Sequence, residues 1–368
     1  MARAMESCSW PNSSVLIRLK DARKEVTALE YASAYRTLVK AEELGQLHDS
    51  IALAMMEMAF YTLESGKLAR TELITAHVAR LLGKPNPGRI SSLAAGRAIL
   101  KNLNAPRYKE LVERYYPKMI HIKGGTFDMA ENYRVQVSDF EMAETETTFW
   151  QFALFCESTG RPLKLHRPVW GFNGDHAAVN VSWCHACLYA NWLSKQMGCD
   201  TVYTLTNREE RIYDSLAESY TVSIQDVANG FRLPTEAEWQ FVAGGGATSR
   251  TQWAGTSVYD SVCFYANIYR IQDDYPFTSP TKNYRPNQLG LYDLTGNAWE
   301  WCWDWDGEYK VDTPLVVDPS GPTGGDNRVL RGGSWDSRTP EHCRASNRDS
   351  LRPNNRTGAV GFRVARHL

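Results

Sequence analysis

Gly290-Leu-Tyr-Asp-Leu-Thr-Gly-Asn-Ala-Trp-Glu-Trp301 packs two glycines, an asparagine and two tryptophans into twelve residues. Such a composition suits short elements set among long ordered loops, with indole rings supplying the buried area. Upstream, Phe231-Arg-Leu-Pro-Thr-Glu-Ala-Glu-Trp239 carries Thr235 and Glu238 at capping-box spacing, which predicts a helix start. A second helix is legible in Val181-Ser-Trp-Cys-His-Ala-Cys-Leu-Tyr-Ala-Asn-Trp-Leu193, behind Ser182 as N-cap. Met119-Ile-His-Ile-Lys-Gly-Gly-Thr-Phe-Asp-Met129 reads as strand with a Gly-Gly turn, and Tyr133-Arg-Val-Gln-Val-Ser-Asp-Phe140 alternates as a strand does. Eleven of the twelve tryptophans follow residue 119, so a mixed α+β domain with few helices is expected over 119–368.

Residues 1–118 have another texture. They are rich in Ala, Leu, Glu, Lys and Arg, with apolar residues at three- and four-residue spacing, as in Leu29, Ala32, Tyr35, Leu38 and Val39. Breaks at Gly45, Ser65-Gly66, Gly83–Gly88 and Asn104–Pro106 predict an all-α module of amphipathic helices. It holds 18 basic and 12 acidic residues against 23 and 30 in the remainder, so two modules of opposite charge are expected. A partner subunit is the expected contact of these helices. No aromatic-basic recognition motif accompanies the charge, so nucleic acid is not the expected partner.

The chain has 368 residues, 43% of them apolar and 23% charged, with a net charge of -1. Wholesale disorder and attraction of the whole chain to nucleic acid or anionic lipid are disfavoured. Met1-Ala-Arg-Ala-Met-Glu-Ser-Cys-Ser-Trp10 lacks the roughly 7–15-residue apolar core of a signal peptide. No later stretch reaches the ~18 apolar residues of a membrane span. A soluble, cytoplasmic protein is expected. Its eight cysteines are then read as thiols, and Cys184-His-Ala-Cys187, within the first turns of a helix and without a second such pair, as buried structural thiols.

Seven phrases now line up in order: Gly124-Gly-Thr-Phe127, Glu144-Thr-Glu-Thr-Thr-Phe-Trp-Gln-Phe152, Pro168-Val with Val181-Ser-Trp183, Phe231–Trp239, Gly290–Trp301, Arg331-Gly-Gly-Ser-Trp335 and Gly361-Phe-Arg363. Together they resemble the formylglycine-generating enzyme, or sulfatase-modifying factor, family. The resemblance covers roughly residues 119–366 and implies a C-type-lectin-like fold, irregular and loop-rich around small antiparallel sheets. That family includes oxidases, iron-dependent sulfur-transfer enzymes and non-catalytic binding proteins, so the fold leaves function open.

The oxidase chemistry implied by the resemblance requires two cysteines five apart shortly after Gly-Gly-Ser-aromatic, since soft thiolates hold Cu(I). Here the segment reads Gly332-Gly-Ser-Trp-Asp-Ser-Arg-Thr-Pro-Glu-His-Cys343. Ser337 occupies the first position, and Cys343 is displaced from the second. Neither copper nor iron is expected: residues 1–118 contain only His48 and His77, without the His-x3-His-x-Glu cluster of the sulfur-transfer relatives. The resemblance does imply a structural Ca2+ at the turn, matched by Asp293, Gly296, Ala298 and Glu300, two carboxylates and two peptide carbonyls.

The C-terminal region 330–366 alternates anchors with other residues. Between Arg331-Gly-Gly-Ser-Trp335, Arg344-Ala-Ser-Asn-Arg348, Asn354-Asn-Arg356 and Val360-Gly-Phe-Arg-Val-Ala365 lie residues with neither helical nor strand period. This arrangement resembles the variable region of proteins diversified by retroelements, where adenine-directed copying errors randomise Asn-type codons. The resemblance implies a ligand-binding surface of Trp335, Asp336, Ser337, Arg338, Thr339, His342, Asp349, Ser350, Leu351, Arg352, Thr357, Gly358 and Ala359. A fixed solvent-facing tail in a non-catalytic family member is the other reading of the same residues. The expected function is therefore non-catalytic binding of a protein or other macromolecular ligand through the C-terminal loops, and the alternative is a divergent formylglycine-generating-type oxidase or related metal-dependent enzyme.

Overall fold

Gly124 ends one strand and lets the next begin in a different sheet. β1 (Met119–Ile122) pairs antiparallel with β4 (Phe140–Ala143), whereas β2 (Gly125–Ala130) forms a hairpin with β3 (Tyr133–Val137). The alternation read over 133–140 as one strand is broken at Ser138-Asp139. There Asp139 Oδ1 accepts the Gly124 amide at 2.8 Å and Asp318 Oδ1 accepts the Ser138 amide at 2.7 Å, which turns the chain between sheets. The computed structural model describes residues 116–368 apart from 162, 167, 171–173, 211–217, 226–227, 270–274 and 310–313. All but the last three residues of the helical module expected over 1–118 lie outside that range.

Both expected helices form. α2 (Trp183–Met197) starts at Ser182, whose side chain accepts from the His185 amide, and stops at Gly198 with φ 72. α3 (Glu236–Ala243) has the full capping box of Thr235 and Glu238. A third helix, α1 (Phe149–Thr159), precedes them. Its Phe149, Phe152, Ala153, Leu154, Phe155, Cys156 and also Gln151 and Ser158 are buried, so its sequence carries no amphipathic stripe to read. Among the described residues no helix is long and apolar enough to cross a membrane.

The remaining strands are β5 (Tyr203–Glu210), β6 (Glu218–Ile224), β7 (Phe231–Arg232), β8 (Trp299–Trp305), β9 (Val316–Val317), β10 (Arg328–Arg331), β11 (Arg348–Leu351), β12 (Val360–Gly361) and β13 (Ala365–His367). They make small sheets in the orders β1-β4-β13-β7, β11-β10-β8-β12, β2-β3-β9 and β5-β6. Trp239, Phe241 and Val242 of α3 pack with Phe127, Val135, Phe140, Met142 and Val329 in the main core. α1, α2 and Phe362 close a second aromatic cluster through Phe152, Phe155, Tyr189 and Trp192. The fold is α+β, with the sheets holding the C-terminal loops and the 290–300 turn in place.

Candidate functional site

The C-terminal loops begin where β10 ends. Gly332 and Gly333 have φ 98 and 76, and a Cβ at Gly333 would stand 2.2 Å from the Cys343 sulfur, so both the turn and the close approach require glycine. The chain then lays Trp335 into an aromatic floor: Trp170 and Phe277 stack at 4.2 Å with planes 8° apart, and Trp335 meets them edge-on at 5.4 and 5.1 Å. Trp335 Nε1 donates to Gly358 O at 3.1 Å, tying the two loops together.

Around this floor Asp336, Arg338, Thr339, His342 and Thr357 are exposed, with Ala359 half-buried. Two positions read from the sequence as display residues are instead packing positions. Ser337 is 6% exposed, its Oγ accepts the Ser334 amide at 3.0 Å, and it hydrogen-bonds Cys343. Gly358 lies under Trp170, and a Cβ there would come within 2.7 Å of the ring. The group at 349–352 is divided by strand alternation. Asp349 and Leu351 pair with Leu330 and Arg328 on one face of the sheet, whereas Ser350 pairs with Val329 on the other, which faces the main core. Arg352 is exposed beyond the strand end. Trp170 and Phe277 belong to the site and were not legible from spacing, because they lie far from the tail in sequence. Tyr269, exposed, joins them by donating its amide to Ser337 O at 3.2 Å.

This turn does not fit a copper centre. The two positions five apart hold Ser337 and His342, and His342 is exposed. Burial pushes the Cys343 thiol up to about 11, so it is no thiolate at neutral pH. Burial likewise pushes up Cys187, the second thiol of the pair on α2.

The 290–300 turn gathers carboxylates. Glu300 accepts Arg363 Nε at 2.6 Å, Arg363 Nη2 at 2.7 Å and Trp239 Nε1 at 2.8 Å, so both of its oxygens are occupied by protein donors. Asp293 Oδ2 accepts the Lys282 amide at 2.9 Å, and its buried Oδ1 has no hydrogen-bond partner among the described residues. Glu146, which the sequence reading did not place here, accepts Asn297 Nδ2 at 2.6 Å and the Ala298 amide at 3.0 Å. Burial first, then Asp293 and Glu300, hold the Glu146 carboxyl well above its usual range, and burial lifts Asp293 to about 6. Three buried carboxyls thus surround one guanidinium; among the described residues no three ligating side chains form a metal cluster, and Asp293 Oδ1 is the oxygen of this turn left to meet a hard cation.

Comparison with known proteins agrees with this architecture. The sulfatase-modifying factor enzyme 1-like domain of the FGE-sulfatase family matches residues 106–368. The formylglycine-generating enzyme of Streptomyces coelicolor is 34% identical over 203 residues, 52% of this chain, and this chain spans only 52% of that enzyme. The bovine formylglycine-generating enzyme is 28% identical over 320 residues, 77% of this chain and 84% of its own length. Among solved structures, variable protein 1 of Treponema denticola superposes with a TM-score of 0.57 and 28% identity, over 68% of this chain and 95% of that one. With a family match over more than half its length and the same C-type-lectin-like fold in a solved relative, the chain belongs to the formylglycine-generating, sulfatase-modifying-factor family.

Proposed function

We propose that this chain is a non-catalytic binding protein that holds a protein ligand against its C-terminal loops, with the exposed positions there diversified between copies. The observation that carries the reading is the separation of roles in 331–363. Arg331, Ser334 and Arg363 are fully buried anchors, whereas Asp336, Arg338, Thr339, His342 and Thr357 stand exposed around the Trp170–Phe277–Trp335 floor. Similarity to a protein named as variable supports it. An aromatic floor supplies adaptable contact area at low entropic cost, and the exposed polar residues set specificity. Residues 1–118 then serve to attach a partner subunit.

Calcium, when bound, supplies positive charge to the buried turn, with Asp293 and the carbonyls of Gly296 and Ala298 as its holders; Glu300 acts there through Arg363. Its part is structural.

The test is the DNA around the gene. A near-copy of the codons for 330–366, mismatched only at adenines, is expected beside a reverse transcriptase gene. Its absence overturns diversification. Stoichiometric copper or iron binding with turnover in a peptide oxidation assay overturns the non-catalytic reading.

A further inference from the structure

A cavity of 460 Å³ opens between the β2–β3 hairpin, the first turn of α3, the end of β8 and the segment 319–323. Its volume suits a small organic ligand. Tyr133 and Tyr309 stack in its wall at 4.8 Å with planes 12° apart, Trp305 lies alongside, and Glu236, Asp304 and Glu308 supply the acids.

The charges in this cavity are unevenly matched. Glu236 takes both neighbouring guanidiniums: Arg331 Nη2 at 2.7 Å, Arg348 Nε at 2.9 Å and Arg348 Nη2 at 3.1 Å. Arg348 spends its remaining donors on Asp306 and on Gly307 O. An anionic ligand would therefore find those cations already committed. Asp304 is the opposite case. It is 3% exposed, its carboxylate accepts the Glu236 amide at 2.7 Å and its own backbone amide, and among the described residues no Lys or Arg forms an ion pair with it, Arg328 and Glu238 acting on it only through space. Its other oxygen faces Gly321, itself part of the cavity wall; a Cβ at Gly321 would stand 3.1 Å from that Oδ1. Burial first, then Glu236, lifts the Asp304 carboxyl to about 8, so with no cation against it the carboxyl keeps its proton at neutral pH.

We propose that this cavity binds an organic ammonium ion, a primary or methylated amine whose charge rests on Asp304 and whose carbon atoms pack on Tyr133, Val316 and Pro322 of the lining, since Arg348 and Arg328 already cover Tyr309 and Trp305. The site is separate from the C-terminal display surface and does not depend on that reading. On binding, the neutral Asp304 acid gives its proton to solvent and the carboxylate pairs with the ammonium, so below pH 8 about one proton leaves per ligand bound.

The full chain is titrated calorimetrically at pH 7 with Nα-acetyl-lysine methylamide, its trimethyl-ammonium counterpart and the neutral Nα-acetyl-norleucine methylamide, in two buffers of different ionisation heat. Expected are one-to-one binding of the amines, binding of the neutral isostere weaker by about tenfold or more, and a buffer dependence equal to roughly one proton released. Asp304→Asn keeps an oxygen for the Glu236 amide and is expected to weaken amine binding by about tenfold and abolish proton release, with an unchanged near-ultraviolet circular dichroism spectrum. Thr323→Trp, filling the cavity from its exposed rim, is expected to block binding. Equal affinity for the neutral isostere, or full amine affinity in a folded Asp304→Asn, overturns the proposal. So does failure of every amine to bind. Lys310 follows Tyr309 in sequence and lies outside the described residues; binding gained only in Lys310→Gln assigns the cation to this chain and equally overturns a free ligand.

Discussion

Arg363 meets Glu300 through two hydrogen bonds with both side chains fully buried, and its remaining donors reach the Ala143 and Tyr292 carbonyls at 3.2 and 2.9 Å. Arg232 faces Glu238 in the same manner, at 2.6 Å on each oxygen, and Arg331 faces Glu236. Two of the pairs join two of the sequence phrases that identified the family, Gly361-Phe-Arg363 to Trp299-Glu300 and Arg331-Gly-Gly to the start of α3, and Arg232–Glu238 closes the phrase Phe231–Trp239 on itself. The phrases are thus conjugate halves of buried ion pairs, which explains why Arg and Glu stand inside stretches otherwise suited to a core. A buried pair contributes little against an apolar alternative, but breaking one leaves an uncompensated charge. Lysine at 363 cannot reproduce the planar fork. Arg363→Lys is therefore expected to lower stability by about 3–5 kcal/mol, measured as a reduced urea midpoint at unchanged slope. A loss below about 1 kcal/mol would show that the Trp239 indole and the substituted ammonium suffice for Glu300.

At the scale of elements, the turn preceding β8 brings Glu146, Asp293 and Glu300 together, and the raised carboxyls fix the sign of a pH effect. Asp293 near 6, and Glu146 also raised, hold protons that the unfolded chain has released above its ordinary carboxylate range near 4. In that window the native state binds more protons than the unfolded state, so stability is fully present at low pH and falls as pH rises through the folded values. Without divalent metal, the contribution of this turn to stability should decline from about pH 4 to above pH 6, and Asp293→Asn should remove its share. Saturating calcium should raise the thermal midpoint at pH 7.5 and flatten the slope, read by calorimetric scans with and without chelator; a calcium-insensitive midpoint would leave the turn unmetallated. The turn was legible through the family resemblance, and its residues suit its backbone, since Asp293, Gly296 and Asn297 take positive φ, which favours aspartate, glycine and asparagine. Glu146 was not, since nothing in its local sequence says that it crosses 151 residues to meet Asn297. α2 and α3 announced themselves through Ser182 and Thr235, whereas α1 is buried nearly all round and has no polar face to set its period.

Across the whole molecule, the cores built on α3 and on α1 with α2 fix the sheets, and the tail uses those sheets as a rim. Asp336, Arg338, Thr339, His342 and Thr357 are exposed. Asp336 accepts the Ser334 hydroxyl and Thr357 Oγ1 accepts the Ala359 amide at 3.2 Å, a bond that Thr357→Ser keeps, so these are the positions where display and scaffold touch. Substitutions at exposed sites without such duties ordinarily stay within about 0.5 kcal/mol. A variant carrying Arg338→Ser, Thr339→Asn, His342→Asn and Thr357→Ser together should therefore unfold within about 1–2 kcal/mol of the parent while changing ligand preference. Ser337→Leu should behave differently, because it removes the acceptor of the Ser334 amide and a partner of buried Cys343; a loss of about 2–3 kcal/mol is expected. Parallel chemical denaturation of both variants decides the matter. If the fourfold variant unfolds as readily as Ser337→Leu, the exposed residues support the fold and cannot vary freely. If only Ser337→Leu is weakened, the molecule has separated a fixed scaffold from a changeable surface, which is the physical condition a diversified binder must meet.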